Sequence, residues 1–183
     1  MINIALLFSN MEKWIAIFMF AAILLGCVKK EMKKDLTVKL EFDVFPKKYT
    51  CDGDDISPKI IIEGFSNETK SLAIIMDDPD APFRTFTHWL IWNIEPTNII
   101  PENISKEGRI NEPIKALQGI NDFGRIGYGG PCPPAGKPHR YYFRVYALDT
   151  MLDIEAGADR KSLEKAMEGH VIHYGEAMAK YGR

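Results

Sequence analysis

The sequence predicts a mainly β protein, an antiparallel β-sandwich with a C-terminal helix, on three observations. From Asp35 onward, short runs rich in isoleucine, valine and aromatic residues recur, and some alternate with the period of two that a half-buried strand requires. Loops of irregular length separate these runs, which argues against βαβ units and for antiparallel sheets packed face to face. Only the tail carries apolar residues at three- and four-residue steps.

The elements follow in order along the chain. At the amino terminus, "MEKWIAIFMFAAILLGCVKKEMKK" runs from Lys13 through an apolar stretch, residues 14–25, into Gly26-Cys27. A membrane-spanning helix needs about 20 apolar residues, whereas the core of a signal peptide needs about 7–15. Residues 1–27 therefore read as an export segment. Leu24-Leu25-Gly26-Cys27 resembles a lipobox, which makes Cys27 a lipidation candidate; the competing reading is an uncleaved helix with an incidental cysteine. Met11 is an alternative start, because Lys13 follows it as the positive region of a signal should. Residues 28–34, with four lysines, read as a basic linker, and residues 35–183 as a single domain. Localisation is thus expected to be outside the cytoplasm, with membrane association through the N-terminal segment. Were that extension not part of the translated chain, the domain would be cytoplasmic.

Within the domain, "LTVKLEF" alternates Leu36, Val38, Leu40 and Phe42 with polar residues and predicts a half-buried strand. "KIIIEG" and "SLAIIMDD" are unbroken apolar runs, as expected of strands buried on both faces. "HWLIWNI" and "YYFRVYALD" continue the series. From Lys161 the stripe Leu163, Ala166, Met167, His170, Val171, Tyr174 and Met178 predicts the helix, weakened by Gly169 and Gly175. No internal repeat is present, and no Gly-rich phosphate loop precedes a helix.

Composition narrows the function classes. With 46% apolar and 26% charged residues the chain is ordinary globular material, and its net charge of -2 offers no field for a polyanion. No basic stripe interleaved with aromatics is present, so nucleic acid is not an expected partner.

Polar chemistry gathers at strand ends. "MDDPDAP" closes an apolar run with Asp77, Asp78 and Asp80 around Pro79, and Pro82 follows. Each proline fixes its own φ and restricts the residue before it, so these carboxylates are held in place. His88 opens "HWLIWNI", and His139 opens "HRYYFRVYALD" directly after the turn-dense "GYGGPCPPAGKP". Rigid turns that orient an acid and two imidazoles at a sheet rim are the preorganisation a binding site needs.

Asp78-Pro79-Asp80-Ala81-Pro82 with His88-Trp89, and Gly130-Pro131-Cys132-Pro133-Pro134 with Pro138-His139-Arg140-Tyr141, resemble the phosphatidylethanolamine-binding protein family in its bacterial and archaeal branch. That branch is similar to the Raf kinase inhibitor protein of animals. "YTCDGDDISPKI" resembles the family's amino-terminal signature and "AMEGHVI" its C-terminal helix, so the resemblance spans about residues 36–183. It implies a sandwich of a larger and a smaller antiparallel sheet, and a pocket at the rim that accepts a small phosphate-containing or other anionic ligand. Carried over residue by residue, it places Asp78, His88, Gly130, His139 and Tyr141 at that pocket, with Pro131 and nearby prolines forming the wall.

Two imidazoles, a phenol and a glycine amide would surround phosphate oxygens. Asp78 would accept a hydrogen bond from one imidazole, or meet the ammonium of an ethanolamine head group. Asp80 is expected to close its own turn. Arg140 points away from His139 and Tyr141 by strand alternation and is expected to pair with an acidic loop.

The resemblance implies a ligand-binding protein, neither an enzyme nor a cofactor carrier. The alternative is a regulator or inhibitor of a protein partner, a kinase or a protease. A metal-dependent enzyme using Asp78, His88 and His139 ranks below both, because no HExxH or paired CxxC spacing supports it. No GxSxG motif is present for a serine hydrolase. Cys51 and Cys132 lie in loops of the family signature and form a possible disulfide; two buried free thiols are the competing reading.

Overall fold

A computed structural model describes residues 33–183. Its elements are β1 (Lys33–Lys34), β2 (Thr37–Lys39), β3 (Ile60–Glu63), β4 (Ser71–Asp78), β5 (Phe86–Ile94), β6 (Ile99–Ile100), β7 (Arg109–Ile110), β8 (Ala116–Gln118), β9 (His139–Leu148), α1 (Arg160–Met167) and β10 (Val171–Tyr181). Seven strands form one sheet in the order β1-β10-β9-β4-β5-β8-β7, and β2-β3-β6 form a second. All pairings between these strands are antiparallel except that of β1 with β10.

Burial of the central strands follows from their sequences. Ser71 to Asp78 are all buried, because β4 is covered on both faces. Leu72, Ile74 and Met76 join Trp89, Ile91, Phe143 and Val145 in a core that meets Ile60, Ile62 and Ile100 of the small sheet. Ala73, Ile75, Leu90 and Trp92 belong to the opposite core, where Leu148, Leu152, Leu163 and Met167 cover them. A strand with two apolar faces needs two layers over it, and the small sheet and α1 supply them.

The tail differs from its predicted form. α1 begins at the N-cap Asp159, whose carboxylate accepts from the Ser162 amide, and it ends at Met167. Gly169 takes φ +80°, a left-handed conformation that costs glycine little, and the chain turns into β10. His170, Val171, Tyr174 and Met178 therefore lie on a turn and a strand rather than on a helix. "AMEGHVI" spans the end of the helix and the start of the strand. Val171, Ile172 and Tyr174 are β-branched or aromatic residues that favour the sheet, and β10 pairs with β9 along its whole length, from Val171–Leu148 to Tyr181–His139.

Two smaller differences lie near the start of the domain. The strand expected over 36–42 is confined to Thr37–Lys39, while Leu40 and Phe42 leave the ladder and pack against the core. Lys33 and Lys34, read as linker, pair with His173 and Tyr174 as a parallel edge strand. The remainder of that linker, together with the export segment, Met11 and Cys27, lies outside the described residues. Among the described residues no helix is long and apolar enough to cross a membrane.

Candidate functional site

The C-terminal end of β4 and the N-terminal ends of β5 and β9 meet at one rim of the large sheet. Met76 pairs with Trp89 but Asp77 pairs with Thr87, so His88 is an extra residue bulged out of the ladder. A bulge re-aims the side chains around it. The His88 ring lies against Tyr141 of β9, with ring centres 5.2 Å apart and nearly perpendicular planes.

These strand ends line a cavity of about 190 Å³. Asp78, His88, His139 and Tyr141 contribute its polar groups. Phe86, Phe123, Pro133 and Pro134 supply apolar wall, and Ala81, Pro82 and Cys132 complete the lining. Asp78 is buried, and its Oδ2 lies 2.7 Å from His139 Nδ1 while its Oδ1 accepts from the Asp80 amide at 2.8 Å. The carboxylate thus orients the His139 ring and leaves Nε2 for the cavity. His88 Nδ1 lies 2.7 Å from the Gly129 carbonyl oxygen and donates to it. Burial pushes the His88 pKa down, so the ring is neutral and its Nε2 is an acceptor.

Tyr141 is the group left unpaired. Its residue is fully buried, and its hydroxyl has no hydrogen-bond partner among the described residues. Burial, with the Asp78 and Asp80 charges adding to it, holds the phenol pKa well above the ordinary value, so the hydroxyl remains a proton donor. The cavity therefore presents one donor from Tyr141, an acceptor from His88, and a His139 nitrogen that donates when protonated.

The wall beside the cavity is fixed by two chain segments. Tyr128 donates its hydroxyl to the Tyr49 carbonyl at 2.7 Å, the Cys51 amide donates to the Pro131 carbonyl at 3.1 Å, and Cys51 and Cys132 are joined by a disulfide. Gly130 sits so close to this segment that a Cβ would lie 2.4 Å from the Tyr49 carbonyl oxygen. No side chain fits there.

The expectations for individual residues divide at this point. Asp78, His88, His139 and Tyr141 are brought together around one cavity, whereas Gly130 and Pro131 are not among its lining residues. The Gly130 amide donates to Asp55 Oδ1 at 2.6 Å rather than facing the cavity. Arg140 pairs with an acidic loop, placing Nε and Nη2 on the two oxygens of Asp80 at 2.8 and 2.6 Å. Asp80 does not close its own turn: Asp78 does so, while Asp80 accepts from the Arg140 amide and guanidinium. That bidentate partner holds the Asp80 carboxyl far below the usual range.

Among the described residues no cluster of three or more His, Cys, Asp or Glu side chains is arranged to hold a metal ion. Phe86 and Phe123 were missed by sequence reasoning. Phe86 stands two residues before His88, a spacing that could have suggested a shared face, but Phe123 carries no local signal. It arrives through a loop built by Asn121, whose Oδ1 accepts from the amides of Phe123 and Arg125 and whose Nδ2 donates to the Gly127 carbonyl.

Comparison with known proteins places this geometry. The family model described as phosphatidylethanolamine-binding protein matches residues 37–182. A UPF0098 protein of Pyrococcus horikoshii is 57% identical over 87% of this chain and 83% of its own length. One of Pyrococcus abyssi is 50% identical over 94% of this chain and 99% of its own. Among solved structures, a Chlamydia trachomatis protein described as a phosphatidylethanolamine-binding protein homologue matches with TM-score 0.73 and 36% identity over 82% of this chain and 99% of its own. Escherichia coli YbcL, described as a member of the mammalian family, matches with TM-score 0.74 and 29% identity over 81% of this chain and 99% of its own. Both solved chains consist almost wholly of the part that matches, and the family model's bounds, residues 37–182, lie within residues 33–183.

Proposed function

The chain belongs to the phosphatidylethanolamine-binding protein family, and from that premise we propose that its rim cavity binds a small phosphorylated or otherwise anionic ligand of the phospholipid head-group type. The observation that carries the reading is the buried Tyr141 hydroxyl without an acceptor, on the wall of a cavity that also holds two imidazoles. A buried donor left unpaired costs about 1–3 kcal/mol, and a phosphate oxygen would satisfy it with a charge-assisted bond. His139, oriented through Asp78, adds a second donor once Nε2 is protonated. The neutral His88 accepts, which suits a ligand carrying a P–OH or an ammonium hydrogen beside its oxygens.

Size selects further. A cavity of about 190 Å³ is below the roughly 300–1,000 Å³ of sites that enclose drug-sized ligands. It suits a head group rather than a whole lipid. The lining offers no free thiol as a nucleophile, because Cys132 is bonded to Cys51. The reading is of a receptor carried outside the cytoplasm and held at a membrane by its N-terminal segment.

Calorimetric titration of residues 33–183 with inorganic phosphate, phosphorylethanolamine and ethanolamine tests it. Saturable binding of the phosphorylated compounds, lost in His139→Ala and little changed in Arg140→Ala, is expected. No binding by the unmodified domain, or equal losses in the two variants, would overturn the reading.

A further inference from the structure

Phe83 is 99% exposed at the tip of the loop between β4 and β5. Soluble proteins carry scattered exposed apolar residues, but this ring is placed with care. Its neighbours Ala81, Pro82 and Phe86 line the cavity, so Phe83 stands at the mouth. Pro79 and Pro82 restrict the loop backbone. Ion pairs hold its two ends, Asp80 to Arg140 and Arg84 to Asp122. The ring is thus presented to solvent by a pinned segment. Across the mouth Phe123 is 38% exposed.

The charges around these rings are unbalanced. Asp80 and Asp122 are engaged by Arg140 and Arg84, whereas Arg125, stacked 5.3 Å from the Phe123 ring centre, and Lys137, in the loop that leads to His139, have no acidic partner among the described residues. The rim is therefore aromatic at its tips and, among the described residues, carries two cations without an acidic partner, which suits an anionic surface.

We propose that the 81–86 loop is a bilayer-docking element, in which Phe83 enters the lipid interface and sets the cavity mouth against the head groups. The occupant follows from size and charge. A stable protein interface buries roughly 800 Å² per partner, and one phenyl ring with the edge of a second offers far less apolar surface. An aromatic ring flanked by guanidinium and ammonium groups is, by contrast, sufficient for an interfacial contact with anionic lipid. This inference deepens the head-group reading by naming where the ligand is met, and rests on it only for what enters the cavity.

The test uses residues 33–183, which excludes the apolar N-terminal segment. Partition is measured onto vesicles of phosphatidylcholine with and without phosphatidylglycerol, and phosphorylethanolamine binding is measured in parallel by calorimetry. Partition onto the anionic vesicles is expected to weaken about 10- to 100-fold in Phe83→Ser, with phosphorylethanolamine affinity unchanged. His139→Ala is expected to lose phosphorylethanolamine while keeping vesicle partition. Failure of the unmodified domain to partition, or equal partition by Phe83→Ser, would overturn docking and leave the cavity reading standing. Loss of phosphorylethanolamine binding in Phe83→Ser would also overturn it, by placing the ring inside the pocket. Vesicle binding without any phosphorylethanolamine binding would sustain docking and remove the head-group reading.

Discussion

Replacing Tyr141 with phenylalanine should move stability and affinity in opposite directions. The substitution removes one oxygen and keeps the ring, which packs edge-on against Phe45 and His88 at 5.6 and 5.2 Å between centres. In the ligand-free protein the deleted hydroxyl is buried and unpaired. Removing it should raise stability by about 1–2 kcal/mol, or about 2–8 °C in melting temperature for a domain of this size. With ligand the sign reverses. A hydrogen bond to a charged acceptor contributes about 1.5–3 kcal/mol, so phosphorylethanolamine should bind about 10- to 150-fold more weakly. Urea unfolding and calorimetry on the same preparation read both effects. A destabilised variant would mean that the hydroxyl finds a partner within the fold. Unchanged affinity would remove it from the ligand site.

Two further outcomes follow from the same neighbourhood. Burial lowers the His88 pKa from its ordinary 6.5, so the native state binds fewer protons than the unfolded chain below that value; the His88 contribution is complete above about pH 6.5 and erodes as pH falls. Stability should then decline by up to about 1.4 kcal/mol per pH unit from this group. His88→Gln should flatten that limb in urea midpoints taken between about pH 5 and 7, and identical slopes would contradict the assignment. The Cys51–Cys132 bridge closes a separation of 81 residues, which in the chain-entropy model stabilises the fold by about 4.5 kcal/mol. The Cys51→Ser, Cys132→Ser double variant should lose most of that in urea unfolding, and a loss under about 1 kcal/mol would argue against a formed bridge.

The central strands were legible because their signal is local. Unbroken apolar runs such as "SLAIIMDD" demand cover on both faces, and two prolyl turns announce a rim at which Asp78, His88 and His139 converge. The tail was misread because a stripe at three- and four-residue steps does not separate a helix from an irregular strand. Gly169, followed by the β-branched pair Val171-Ile172, marks the break. Gly130 stays outside the cavity lining for another reason. Its amide is taken by Asp55, 75 positions away, a contact that no spacing within "GGPCPP" encodes. Phe123 likewise enters the cavity through a loop whose shape rests on Asn121, so composition says nothing of its destination.

The bulge at His88 separates the architecture from its chemistry. On one side of it Trp89, Ile91 and Ile94 face the core between the sheets, and on the other Phe86 pairs with Asp78 at the cavity. Without the extra residue the pairing of Met76 with Trp89 would run directly into that of Asp77 with Thr87, a regular ladder on the β4 side, while the bonds that Thr87, His88 and Leu90 accept on the other edge, from Asp122, Gly129 and Gly119, would be displaced. A single-codon deletion at His88 would then act on the rim and on the loop beside it while leaving the β4–β5 ladder continuous. For the proposed head-group site, the length of this strand is therefore a better reporter of an intact rim than its apolar pattern.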